Sequence, residues 1–234
     1  MNRLFIIGAG GFGRELESWL DRVPESLRDW RIYGYLDDDP HALNGYPSDY
    51  AVLGDLTYSR FLDSDLAVLA VASPAAKRTI VSRLSERVEF FSFVPPETLI
   101  GKSVEIGRGT VLGLNCMLTT NVRVGEFVTI NSHSSIGHDV QIESYASLMG
   151  NVMVSGKCSI GSGAVIGTGS NLVPSRRIGE SAVVGASAGV FRHVAAHTTV
   201  IGNPARLFIE DCRVPEVPLA DDCTRNVVAP PTRS

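Results

Sequence analysis

Two groups of side chains in this sequence have the types and spacing for chemistry. The first is Asn131-Ser132-His133-Ser134-Ser135-Ile136-Gly137-His138-Asp139, which holds two of the chain's five histidines. Free imidazole titrates near pH 6.5, roughly, and a carboxylate on one ring nitrogen orients the ring and raises its basicity. His138, followed directly by Asp139, is therefore a candidate general base. A surface histidine beside an unrelated aspartate is the plain alternative, and it applies with more force to His133. The second group is Gly8-Ala9-Gly10-Gly11-Phe12-Gly13, a GxGxxG run with Asp37 and Asp38 downstream. Glycines there let the backbone approach a phosphate, and a following helix offers it the positive end of its dipole. A purely structural turn and an NAD or FAD site are the alternatives. Asp37 and Asp38 also read as solvated residues at a strand end.

The elements that must hold these groups are of two kinds. From Ile100, every sixth residue is aliphatic through Ile106, Leu112, Leu118 and onward to Val190, sixteen positions without a slip. Glycine follows nine of them, among them Gly101, Gly137 and Gly185, and the fourth residue after each is usually small or β-branched, as at Val104, Thr110, Cys116, Ala146 and Ala164. Each hexad thus supplies one large and one small inward side chain and a turn, and a 3.6-residue helical period cannot keep step with it. In this register Ile136 points inward, Gly137 turns the chain and His138 falls at a corner, projecting outward. Cys116 and Cys158 occupy the small inward position and read as core fillers. Glu143 stands where glycine is usual and reads as a partner of the site or as an exposed turn residue.

Residues 1–94 read as alternating strands and helices: a strand at Leu4–Ile7, a helix from about Arg14 to Leu20, strands at Tyr33–Leu36 and Leu66–Ala72, and a helix from about Ala75 to Ser85. That pattern implies a small parallel α/β sheet, too short for a full dinucleotide fold, so a single nucleotide or another phosphate-bearing ligand suits the glycine loop better. Pro95-Pro96 marks the boundary with a repeat domain at 95–207, and 208–234 is a proline-rich tail.

Composition removes several classes of function. Lys plus Arg number 21 against 25 Asp plus Glu, a net charge of −4, which leaves no cationic excess for a nucleic-acid backbone. The longest apolar run, Leu66–Ala72, is far short of the roughly 20 residues that span a bilayer, and no signal peptide is apparent, so a cytoplasmic location is expected. Four cysteines without a CxxC, and no His, Cys or carboxylate cluster with ligand spacing, predict neither disulfides nor a metal. No serine sits in a GxSxG elbow.

The glycine-rich loop, the unbroken hexads, Asn131 with His138-Asp139, and Gly202-Asn203-Pro204-Ala205 together resemble the hexapeptide-repeat sugar acetyltransferases of the NeuD and PglD type, over roughly residues 3–207. The resemblance implies an α/β Rossmann-like N-terminal domain followed by a left-handed parallel β-helix, an exception to the right-handed crossover rule. It implies a homotrimer with sites between neighbouring β-helices, acetyl-CoA as co-substrate, and a nucleotide-linked amino sugar as acceptor. In catalysis it assigns His138 as general base, Asp139 as the acidic neighbour that raises its basicity, and Asn131 as a polar residue of the same site. For the sugar nucleotide it implies Gly10, Gly11, Phe12, Asp37, Asp38 and Ala72 or Ser73; for acetyl-CoA it implies Gly156, Thr168 and Ala186. It also implies Ser147 for acetyl-CoA, at a place where related enzymes can carry a histidine that contacts acetyl-CoA.

These expectations amount to direct acetyl transfer to the 4-amino group of an amino-dideoxy sugar. Acetylation of a hydroxyl, as on sialic acid, is the nearest rival, and a non-catalytic nucleotide-sensing module is a rival of another class. A carbonic-anhydrase-like scaffold is disfavoured, because His133, His138, His193 and His197 do not recur at coil spacing.

Overall fold

The computed structural model describes residues 1–208, so nearly all of the expected tail, with Cys212 and Cys223, lies outside the described residues. The N-terminal unit contains β1 (Asn2–Ile7), α1 (Gly11–Asp21), β2 (Trp30–Leu36), β3 (Val52–Gly54), β4 (Leu66–Leu69), α2 (Pro74–Leu84) and β5 (Glu89–Phe90). The five strands pair in parallel in the order β3-β2-β1-β4-β5. The winding direction therefore reverses between β1 and β4, and a crevice opens at the carboxyl ends of those two strands. β1 is the central strand because Leu4, Phe5, Ile6 and Ile7 are apolar on both sides, and all four are buried.

Local boundaries depart from the sequence reading for identifiable reasons. Helix α1 starts at Gly11 rather than near Arg14, because the glycines enter its first turn. A Cβ on Gly13 would strike the carbonyl of Gly8, so the close approach of helix to strand requires glycine there. Strand β4 stops at Leu69, short of Ala72, as the chain turns to let Ser73 cap α2 ahead of Pro74. β3 and β5 span three and two residues, too short to leave a periodic signal.

The rest is a left-handed parallel β-helix of triangular coils, each about 18 residues long. Its first face stacks strands Leu99–Ile100 through Gly189–Val190, its second Glu105–Ile106 through Arg177–Ile178, and its third Val111–Leu112 through Thr199–Ile201. Arg206–Leu207 closes the third face as an antiparallel strand. The hexad aliphatics from Leu112 to Val190 form one continuous buried column with Cys116, Cys158, Ala146 and Ala164 between them. Ile100 and Ile106, which begin the stack, are the exceptions: Ile100 is 45% exposed and Ile106 is only partly buried. Burial pushes both thiols above the ordinary cysteine range, which suits packing rather than nucleophilic attack.

The two units are joined through the third face. Phe93 pairs with Val111 as though one coil below it, so the chain enters the stack before Pro95. Phe127 packs edge-on against Phe90 and stacks on Tyr145. Arg78 of α2 lies over the Tyr145 ring and donates to Ser162 Oγ at 2.6 Å. Lys77, also on α2, is fully buried in this seam. Among the described residues no helix is long and apolar enough to cross a membrane.

Candidate active site

His138 sits at the corner where the chain passes from the first face to the second, between strands Ser135–Ile136 and Gln141–Ile142. Ile136 is buried and anchors the corner, and the imidazole is exposed as its register requires. Asp139 adopts a left-handed backbone, φ 60°, which aspartate tolerates better than most residues. This turns its carboxylate back so that Oδ2 lies 2.7 Å from His138 Nδ1. Asp139 Oδ1 accepts from Asn121 Nδ2 at 3.1 Å, one coil below. The His138 bond first, and then the Asn121 bond, hold the Asp139 carboxyl below its ordinary range. A proton on Nδ1 is thus donated to a carboxylate, which leaves the lone pair on Nε2.

Gly156 lies one coil above His138, and the imidazole rests over its Cα. A Cβ there would come within 2.6 Å of Cε1 and 2.9 Å of Cδ2. Beyond the pair, a cleft of about 520 Å³ along the second face is lined by Asp139, Lys157, Ser175, Arg177 and His193 among others. His193 Nδ1 accepts from the backbone N–H of Arg177 at 3.0 Å.

The other expected residues divide between two further places. Asn131, Thr168 and Ala186 occupy the corner between the third and first faces, each just after a third-face strand. Within one chain they do not meet His138; Asn131 Oδ1 instead accepts from the Ser132 N–H at 2.6 Å. Ser147 requires a correction. It is fully buried on the third face, where its hydroxyl donates to Ala72 O at 2.7 Å and accepts from Lys77 Nζ at 2.8 Å. The N-terminal unit covers it, so it belongs to the seam and has no face for a ligand. Glu143 is an exposed turn residue whose Oε2 accepts from the Ser162 N–H at 3.1 Å, remote from His138.

In the N-terminal unit a cavity of about 340 Å³ opens at the carboxyl ends of β1 and β2, lined by Gly8, Asp37, Asp38, Val71, Thr79 and Arg83 among others. Asp37 spends its carboxylate on the loop itself: Oδ2 accepts from Ala9 N at 2.6 Å and Oδ1 from Asp39 N at 2.9 Å. Asp38 is exposed. Gly10 caps α1 and, with Gly11, faces open space, while Phe12 packs edge-on against Trp19. Ala72 and Ser73 follow β4, beside the β1 loop because β4 neighbours β1.

Sequence reasoning missed Asn121 and Lys77. Asn121 had a usable signal, since it stands one coil-length before Asp139. Lys77 had none, because its burial depends on two units docking. Among the described residues no group of three His, Cys, Asp or Glu side chains is placed to hold a metal.

Residues 3–84 match the family model of the PglD N-terminal domain. Over 220 residues, 88% of this chain and 96% of its relative, the sequence is 31% identical to a GDP-perosamine N-acetyltransferase of Escherichia coli O157:H7. WeeI from Acinetobacter baumannii AYE superposes with a TM-score of 0.78 at 29% identity, covering 89% of this chain and 100% of that one. The acetyltransferase domain of PglB from Neisseria gonorrhoeae FA1090, solved with acetyl coenzyme A, shares the fold with a TM-score of 0.80 at 23% identity, over 89% of this chain and 100% of that one. With a glycine-looped α/β unit, an unbroken hexad column and a full-length relative at this identity, the chain is an acyltransferase and belongs to the NeuD/PglD-type family of hexapeptide-repeat sugar acetyltransferases.

Proposed function

We propose that this enzyme transfers the acetyl group of acetyl-CoA to the 4-amino group of a nucleotide-linked amino-dideoxy sugar, with His138 as general base. The observation that carries the reading is the exposed His138–Asp139 pair, whose geometry keeps Nδ1 occupied and Nε2 free. The Escherichia coli relative, a GDP-perosamine N-acetyltransferase, supports both the acceptor class and the amine, and it puts a GDP-linked sugar first among candidates. The sugar nucleotide lies in the crevice beside Asp38, Thr79 and Arg83, with the Gly10-Gly11-Phe12 turn and the Ala72-Ser73 end of β4 at its rim. Acetyl-CoA runs along the β-helix past Gly156, Thr168 and Ala186.

In the reaction the acceptor nitrogen approaches the thioester carbon to about 3 Å. The C–N bond forms as His138 Nε2 takes the amine proton. The tetrahedral oxyanion is held by a backbone N–H; it then collapses, the C–S bond breaks and CoA thiolate leaves. The imidazolium is stabilised by Asp139 throughout. The reaction belongs to the cytoplasm, where acetyl-CoA is made and used.

We assign the working assembly as a homotrimer. The second face presents Glu105, Arg123, Gln141 and Arg177, and the third is covered by the N-terminal unit along Val111, Thr129 and Ser147. The first face instead exposes Leu99, Met117 and Met153, an apolar stripe that favours burial. The two edges bounding this face are the His138 edge and the Thr168 edge. Three prisms that turn their first faces to a common axis bring the His138 edge of one against the Thr168 edge of the next, which completes a site no single chain contains.

The test is release of CoA thiol from acetyl-CoA with GDP-, UDP- and dTDP-linked 4-amino-4,6-dideoxy sugars and with sialic acid, beside His138→Ala and a light-scattering mass. Turnover on a nucleotide amino sugar, reduced about 10² to 10⁴-fold in the variant, is expected. Turnover on sialic acid alone would establish the hydroxyl acceptor instead. Nucleotide binding with no acetyl-CoA binding would make the chain a sensing module.

A further inference from the structure

The structure assigns Asn121 as a positioning residue that acts on His138 through Asp139. This rests on the reading of His138 as the base. The carboxylate of Asp139 has two oxygens and two different partners: His138 Nδ1 on Oδ2 at 2.7 Å, and Asn121 Nδ2 on Oδ1 at 3.1 Å. With one partner only, a carboxylate at this exposure, 42% for the Asp139 side chain, rotates freely, and a lone surface pair of this kind contributes little. The second partner fixes the plane of the carboxylate and with it the direction in which Nδ1–H is held.

The backbone favours asparagine at 121, as at Asn115 and Asn151, but does not require it. Its left-handed conformation, φ 56°, recurs at corners occupied by Ser103, Lys157 and Ser175 in the same stack, and at Tyr145 on another edge. These residues show that the turn accepts diverse side chains. Nor does the Asn121 amide cap the corner: the bond to Asp139 is the one its side chain makes among the described residues. Because successive coils superimpose, two residues one coil apart in the same backbone conformation project in the same direction, which is what brings the amide under the carboxylate. The series Asn121, Asp139, His138, Gly156 therefore runs up one edge as donor, carboxylate, imidazole and the open Cα on which the ring rests.

The test is Asn121→Gly, which suits the left-handed backbone and removes the amide, alone and in an Asp139→Ala background, with His138→Ala alongside. Asn121→Gly is expected to lower kcat about threefold to tenfold, the size of one hydrogen bond. The KM for acetyl-CoA should stay unchanged, and the variant should have no further effect once Asp139 is gone. Asn121→Asp, equal in shape but unable to donate, should lose at least as much. Heteronuclear NMR of the His138 ring provides a readout independent of turnover: the Nδ1–H tautomer dominates in the wild type and gives way to a mixture in Asn121→Gly. A full loss that persists in the Asp139→Ala background, or an unchanged tautomer, would overturn the role of Asn121. Wild-type turnover by His138→Ala would instead overturn the base itself, whatever Asn121 does to the tautomer.

Discussion

The imidazole of His138 lies on the Cα of Gly156, one coil above it, so closely that a methyl group at 156 and the ring cannot occupy their present positions together. Gly156 was expected from resemblance to line the acetyl-CoA path. The structure gives it a constraint of its own, because the flat face of the His138 ring lies where a side chain at 156 would stand.

Gly156→Ala follows directly. The backbone at 156 is not in the left-handed region, so alanine is tolerated by the chain and the fold should persist, with a melting temperature within a few degrees of wild type. The ring must tilt or swing off its site, and a displacement of about 1 Å at a reacting group costs on the order of 10²-fold in rate. Steady-state kinetics beside a thermal melt checks this. Wild-type kcat in a folded Gly156→Ala protein would show that the ring does not need its present seat.

How far the sequence carried these conclusions depended on whether a residue's environment lies within its own repeat. Ile136 points inward and His138 outward because the hexad is strict, and both orientations could be read without coordinates. Cys116 and Cys158 were legible as packing for the same reason. Asn121 and Gly156 touch the His138–Asp139 pair across the coil-to-coil step, which becomes a contact only when successive coils are superimposed. Ser147 was misread because its register says only that it faces outward, not that the N-terminal unit lies on that face. Asn131 and His138 fall on different edges, a separation that the three-face geometry makes visible and a linear motif conceals.

The same seam yields a prediction about stability. Lys77 Nζ donates to Phe127 O at 3.0 Å, Ala146 O at 3.3 Å and Ser147 Oγ at 2.8 Å, with no carboxylate bonded to it among the described residues. Burial pulls its ammonium down to about 7 from the ordinary 10.5. Between these values the unfolded chain binds a proton that the folded chain does not, so unfolding free energy rises with pH, by up to about 1.4 kcal/mol per unit. The gain is absent well below pH 7 and fully developed near pH 10. The two buried thiols oppose this gain from about pH 8.5, where unfolded cysteines ionise and the folded ones do not. Tyr35 and Tyr50, raised chiefly by burial, add to the opposition at about pH 10, so the Lys77 contribution is read from the difference between wild type and a variant that keeps these groups. Urea unfolding of wild type and Lys77→Met from pH 7 to 9.5 is the measurement. The wild-type slope should be the steeper, and parallel slopes would refute the assignment.

The proposed division of the site between the His138 edge of one chain and the Thr168 edge of its neighbour makes a sharper prediction. His138→Ala lacks the base but keeps an intact Thr168 edge, and Ala186→Trp blocks the acetyl-CoA path but keeps His138. Each homotrimer should be inactive. If subunits are mixed under denaturant and refolded, some interfaces in the resulting hetero-trimers pair the His138 of one variant with the open Thr168 edge of the other. For equal amounts and random assembly, each interface has one chance in two of an intact His138 edge and one in two of an intact partner edge, so about a quarter of wild-type activity should return. Activity that stays at the level of the separate variants, in preparations shown by native mass spectrometry to contain mixed trimers, would place the whole site within one chain. The Thr168 and Ala186 assignments would then have to be abandoned, because His138 and that edge lie on different corners of a single prism.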